Sequence, residues 1–66
     1  MGNFYSWSTK KKGKKYEAKV TKVIARSTPN KQGRYADTTI VDTALYPSRA
    51  RAKGAAVRLI RRLPKL

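Results

Sequence analysis

The chain has 66 residues, enough for one small domain, and a formal net charge of +14 from seventeen lysines and arginines against three acidic residues. It has no cysteine and no histidine, which excludes disulfides and disfavours structural zinc and the commonest catalytic nucleophiles and bases. Positive charges at this density repel one another in a compact fold. A polyanionic partner is therefore expected, and nucleic acid is the first class to consider.

The three acidic residues, Glu17, Asp37 and Asp42, are too few to favour paired-carboxylate catalysis. Asp37 and Asp42 lie five positions apart in a predicted strand, so alternation predicts that their side chains point to opposite faces of the sheet. We therefore predict a protein that is not an enzyme, with no catalytic residue, no metal ligand and no cofactor.

The sequence lacks an apolar run long enough to cross a bilayer, and no secretory hydrophobic region follows Met1. These features predict a protein that is not secreted and that acts inside a cell or within a virion. The opening residues, MGNFYS, fit the N-myristoylation pattern, and the lysines behind them would supply a second membrane signal. Membrane contact is predicted only if Gly2 is acylated.

The first predicted strand covers about residues 4–9 (FYSWST), in which Tyr5, Trp7 and Thr9 share one side. The next residues, 10–15 (KKKGKK), are predicted to form a cationic turn with Gly13 at positive φ. Lysines at a hairpin tip can protect a strand edge from pairing, or they can bind phosphate as point charges. We favour phosphate contact without sequence recognition.

The second predicted strand, about 15–26, places Tyr16, Ala18 and Val20 on one face. Adjacent Val23 and Ile24 break the alternation, which indicates either a bulge or burial on both faces. A polar turn (STPNKQG) leads to the third strand, about 34–43, in which alternation does not decide whether Ile40 or Val41 points inward. Residues 43–46 either continue that strand or bend away from it.

The last predicted element is a helix over about 48–63, with Pro47 ending the strand and Ser48 as N-cap. Helical periodicity gathers six apolar residues on one side: Ala52, Ala55, Ala56, Leu59, Ile60 and Leu63. The sequence thus predicts a single α+β domain over residues 1–66. It consists of a small antiparallel three-stranded sheet with one C-terminal helix packed on one face.

The basic residues of the predicted helix are unevenly placed. Arg51, Arg58 and Arg62 fall on one flank, with Arg61 adjoining, and no acidic residue is interleaved. Arg49 and Arg51 lie in the first turn, where the helix dipole disfavours cations. A solvated polar flank is the alternative, but this pattern favours contact with an anion.

Four aromatic residues, Tyr5, Trp7, Tyr16 and Tyr35, can either stack on unpaired bases or belong to the small core. A chain of this size has few large apolar side chains, so its aromatic residues are needed to form the core. We predict core positions for Tyr16 and Trp7 and leave both interpretations open for Tyr5 and Tyr35.

The order KKYEAKV, GRYADTTIV and TALYPSRARAKGAAVRLIRRL resembles the small DNA-binding domain of tyrosine-recombinase arm-binding regions and of plant ethylene-response factors. That resemblance rests on Tyr16, Lys19, Tyr46, Ser48 and the alanine-rich helix. It implies that the exposed sheet face enters the major groove, with Lys19, Thr21 and Arg34 facing the groove. This chain departs from the pattern because its helix has no acidic first turn and no recombinase catalytic domain is attached. It also resembles small basic proteins encoded by phages and mobile elements.

The sequence therefore predicts a nucleic-acid-binding protein that contacts phosphates, with DNA favoured over RNA because of the resemblance. Its predicted contact residues are Lys10, Lys11, Lys12, Lys14, Lys15, Lys19, Arg34, Arg49, Arg51, Arg58, Arg61 and Arg62. One alternative is a structural component of a virion or ribosome-like assembly, with protein partners as well as nucleic acid. Another is an inhibitor that docks on an acidic host protein.

Overall fold

The computed structural model describes residues 2–66 and shows a two-layer domain of one sheet and one helix. The elements follow in the order β1 (Phe4–Lys12), β2 (Lys15–Ala25), β3 (Ala36–Tyr46) and α1 (Arg49–Arg62). The three strands form one antiparallel sheet in the order β1-β2-β3, with α1 packed across one face. The predicted α+β class, strand number and C-terminal helix are confirmed.

The hairpin between β1 and β2 is tighter than the sequence predicts. Lys12 pairs with Lys15, so the turn consists of Gly13 and Lys14 alone, with φ +63° at the glycine. Positive φ at the first of two central residues is the pattern of a type II′ turn, whose twist matches that of the strands. The prediction of a six-residue cationic turn is wrong, because lysines 10–12 continue β1.

The third strand begins and ends later than predicted, because Arg34 precedes it and residues 43–46 continue it to Tyr46. Its pairing with β2 shifts by one position, since Val20 pairs with Asp42 and Thr21 with Ile40. Val41 is therefore the extra residue of a β-bulge. Neither candidate points into the core: Ile40 is 59 % and Val41 38 % exposed.

The bulge reverses the alternation along β3 and overturns the prediction for its two carboxylates. Asp42 lies opposite Val20 and Asp37 lies opposite Ile24, two β2 residues that share a face. Asp37 and Asp42 thus point to the same face of the sheet. At Val23 and Ile24 the sequence predicts either a bulge or burial on both faces. Both residues pair regularly with β3 and both are half-buried, so the second alternative is correct.

The core is small and built mainly from alanine. Its fully buried residues are Ala18, Val20, Ala52 and Ala56. Partly buried side chains close around them from both layers: Tyr16, Tyr46, Leu59, Ile60 and Leu63. Alanine on both layers lets the helix lie close to the sheet. The core prediction for Tyr16 is confirmed, whereas Trp7, 38 % exposed on the helix-side face, lies at the margin of the core.

The helix begins and ends as its sequence predicts. The backbone N–H of Arg51 donates to Oγ of Ser48 over 3.2 Å, so Ser48 is the N-cap. At the C-terminal end, Tyr5 Oη donates to the Pro64 carbonyl over 2.8 Å, which ties the end of the chain to β1. This helix, the only one in residues 2–66, is neither long nor apolar enough to cross a membrane.

Gly54 is a removable defect inside the helix. A Cβ added at this position meets nothing nearer than the Arg58 guanidinium, at 3.7–3.9 Å, which is ordinary van der Waals contact. We expect Gly54→Ala to raise the free energy of unfolding by roughly 0.5–1 kcal/mol, because alanine loses less conformational entropy on forming a helix. Thermal denaturation followed by circular dichroism measures this change, and a lower melting temperature would contradict the placement of Gly54.

Candidate nucleic-acid interface

The sheet face that points away from the helix is not covered by any described part of the chain. We call it the open face. Ala18 and Val20 are buried on the helix side, so strand alternation places the odd-numbered residues of β2 on the open face. The residues of β1 and β3 that pair with them lie on the same face. Four lysines share this face: Lys10, Lys12, Lys15 and Lys19. The open face is therefore a cationic surface built on regular strands.

The rest of the open face is made of hydroxyl and apolar side chains. Cross-strand pairing adds Ser6, Ser8, Thr21, Thr38 and Thr43. Three large apolar residues, Phe4, Ile40 and Leu45, lie on the same face and are 54–59 % exposed. The sequence does not identify these apolar positions as surface residues; for Ile40 the reason is that the bulge at Val41 hides the alternation that brings it to this side.

Two of the three acidic residues are neutralised by neighbours within the fold. Glu17 on the open face pairs with Lys12, with 3.4 Å between Oε2 and Nζ. Asp37 pairs with Arg26, with 2.7 Å between Oδ2 and the guanidinium. Asp42, on the helix side, has no ion pair within residues 2–66. The open face thus carries four lysines and one carboxylate, Glu17, which is already paired with Lys12.

The predicted contact residues of the hairpin do not all face the same way. Lys14 lies in the exposed turn, beside the open face. Lys11 pairs with Tyr16 and points to the helix side. Within this lysine cluster, the structure therefore brings Lys10, Lys12 and Lys15 together with Lys19 and separates Lys11 from them.

Arg34 was predicted on the sheet, but it lies in the loop that joins β2 to β3. This loop is organised around Asn30, whose Oδ1 accepts from the backbone N–H groups of Gln32 and Arg34 over 2.9 and 3.0 Å. The Asn30 side-chain amide donates to the Ala36 carbonyl and to Asp37 Oδ1 over 3.0 and 3.3 Å. The loop therefore has a defined shape and holds exposed Arg34 at the end of the sheet remote from the hairpin turn.

Asp37 makes this loop sensitive to acid. Hydrogen bonds from Arg26 and then Asn30 lower the pKa of the Asp37 carboxyl below its usual value. A group with a lowered folded-state pKa stabilises the fold above its unfolded pKa and loses that contribution as the pH falls through the folded pKa. We expect Asp37→Asn to lower the melting temperature at pH 7, with the difference from wild type shrinking below about pH 4. A difference that grows on acidification would contradict this role.

The basic residues of α1 lie on the other side of the molecule. Arg51, Arg58, Arg61 and Arg62, which we call the helix arginines, are all exposed. Arg49 instead lies over the Tyr16 ring, with its Cζ 5.3 Å from the ring centroid, and Lys53 lies 5.9 Å from the Trp7 centroid. The structure divides the predicted contacts into two basic surfaces separated by the core.

The described residues contain no group of three or more carboxylate, cysteine or histidine side chains that would hold a metal ion. Comparisons with protein-family models, with characterised proteins and with solved structures found no match to this chain.

Proposed function

We propose that this protein is a non-enzymatic binder of double-stranded DNA that presents its open face to the major groove. The observation that carries the proposal is the uncovered face with four lysines and one carboxylate, which is already paired. Lysines of this kind contact phosphates and release condensed counterions, which is a sequence-independent source of affinity. With this function the protein would act where DNA is, within a cell or a virion.

The width of the sheet supports a duplex DNA partner. Neighbouring strands lie about 4.8 Å apart, so the backbones of β1 and β3 are roughly 10 Å apart, against a major groove about 12 Å wide. The major groove of A-form RNA is deep and too narrow for protein elements to enter. In the DNA complex, the hydroxyl groups would meet phosphates or base edges, and exposed Ile40 would meet thymine methyl groups or sugars.

Binding of a fluorescent 16-base-pair DNA duplex, measured by anisotropy between 50 and 300 mM salt, tests the proposal. The four open-face lysines, with Lys14 in the turn, give a slope of log affinity against log salt of about −4.5. An RNA duplex of the same sequence is the matched control and should bind more weakly. Absence of DNA binding at 50 mM salt, or a slope near zero, would contradict the proposal.

A second candidate is a component of a larger nucleoprotein assembly, favoured by the exposure of Phe4, Ile40 and Leu45 on the open face. Such side chains would pack against a neighbouring protein. Replacing all three with threonine distinguishes the two candidates. Duplex affinity should fall severalfold, by less than about tenfold, if these side chains contact DNA beside the phosphate contacts, whereas an assembly role predicts unchanged DNA binding and lost association with the protein neighbour.

A further inference from the structure

The exposed side of the helix, including its flank toward β3, forms a second cationic surface, independent of the open face. Six of the fourteen residues of α1 are basic and none is acidic. Two of the six, Arg49 and Lys53, lie over aromatic rings of the sheet. The other four are the helix arginines, which are exposed and make no ion pair within residues 2–66.

Helix stability does not account for this arrangement. Arg51 lies in the first turn, where the dipole disfavours a cation, although Arg61 and Arg62 in the last turn are favourably placed. No acidic residue of the helix lies three or four positions away to offset the repulsion among them. Asp42 of β3 lines the same cleft as Arg58 and Arg62, but it makes no ion pair within residues 2–66. An external anion would relieve this repulsion.

The spacing of the helix arginines suits an extended anion. At 1.5 Å per residue, Arg51 and Arg58 are about 10 Å apart along the helix axis and Arg58 and Arg62 about 6 Å. The whole row extends about 16 Å, the rise of roughly five base pairs. Arginine also bonds phosphate oxygens in pairs through its planar fork, which favours phosphates as the partner.

The two cationic surfaces lie on opposite sides of the sheet. The helix covers the face of the sheet that carries Ala18 and Val20, and the four lysines lie on the reverse face. A straight duplex on the open face therefore leaves the helix arginines free. We propose that the helix arginines bind a second DNA duplex, so that one molecule bridges two duplexes. This inference rests on the proposed function, because the first duplex occupies the open face.

Energy transfer between two short duplexes, one carrying a donor and the other an acceptor, tests the inference. Wild-type protein should give a signal that rises with protein concentration and then falls, because excess protein saturates each duplex separately. Two variants with the same net charge are compared. One carries Arg51→Gln, Arg58→Gln, Arg61→Gln and Arg62→Gln, and the other carries Lys10→Gln, Lys12→Gln, Lys15→Gln and Lys19→Gln.

The arginine variant should keep its affinity for a single duplex within about threefold and lose at least nine-tenths of the energy transfer. Circular dichroism establishes that it is folded. Wild-type binding to a single duplex without energy transfer would overturn bridging and leave the proposed function intact. Bridging is also overturned if the arginine variant transfers energy like wild type, or if it loses single-duplex affinity to the same extent as transfer. Failure of the wild type to bind any duplex would overturn the proposed function itself.

Discussion

In a background that carries Arg51→Gln, Arg58→Gln, Arg61→Gln and Arg62→Gln, replacing the four open-face lysines with glutamine is expected to lower the affinity for duplex DNA about a thousandfold at 0.1 M salt. Each lysine that neutralises a phosphate contributes about 0.9 to the salt slope, so losing four of them removes more than three logarithmic units at this salt concentration. Glutamine keeps a similar stem and still forms hydrogen bonds, so the loss isolates the effect of charge. Fluorescence anisotropy with the same duplex measures it.

A matched control separates position from net charge. In the same background, the changes Lys22→Gln, Lys31→Gln, Lys53→Gln and Lys65→Gln also remove four lysines, but none of these residues lies on the open face. We expect this control to lose no more than about threefold, through the weaker general field of the protein. Equal losses in the two variants would show that overall charge, rather than the open face, determines binding.

Ala52→Leu is expected to be the most destabilising single change considered for this fold. Ala52 is completely buried where the helix meets the sheet, and its small side chain allows the close approach of the two layers. A leucine there must push the helix away or adopt a strained rotamer, at a cost of about 1–3 kcal/mol. Small domains have little stability in reserve, so the melting temperature should fall by roughly 10 °C.

The neighbouring exposed alanine supplies the control. Ala50 lies on the solvent side of the same helix, so Ala50→Leu should change stability by less than about 0.5 kcal/mol. Thermal denaturation followed by circular dichroism compares the two variants. If Ala52→Leu is as stable as Ala50→Leu, the close packing of α1 on the sheet is wrong.

Local chemistry was enough to predict most of the fold. The alternation of Tyr16, Ala18 and Val20 gives the buried face of β2, and Ser48 gives the start of the helix. These signals are short-range, because a strand of period two and a capped helix need only neighbouring residues. The three strands and the helix follow from them.

The errors occur where pairing between strands overrides local preference. Lysines 10–12 have low strand propensity, yet pairing with 15–17 across the tight Gly13 turn keeps them in β1. The bulge at Val41 follows from the register between β2 and β3, which no pattern within β3 reveals. That one extra residue decides which side Ile40 and Asp37 face.

The sequence predicts which basic residues belong to the candidate site, but it does not predict how they are grouped into surfaces. The sequence identifies the basic residues, including Lys19 and Arg58, as phosphate contacts. Alternation along β2 predicts Lys19 on the exposed face, but it cannot bring Lys10, Lys12 and Lys15 beside it, because that depends on the register across the Gly13 turn. The division into an open face and the helix arginines emerges only from the tertiary arrangement.

Acetylation of lysines with and without a short DNA duplex, read residue by residue by mass spectrometry, tests the central claim most directly. The proposal predicts strong protection of Lys10, Lys12, Lys15 and Lys19 at equimolar duplex and low salt. Lys22, Lys31 and Lys65, which lie off both proposed surfaces, should react as in the free protein. Protection of these three with the open-face lysines still reactive would contradict the assignment of the open face as the DNA-binding surface.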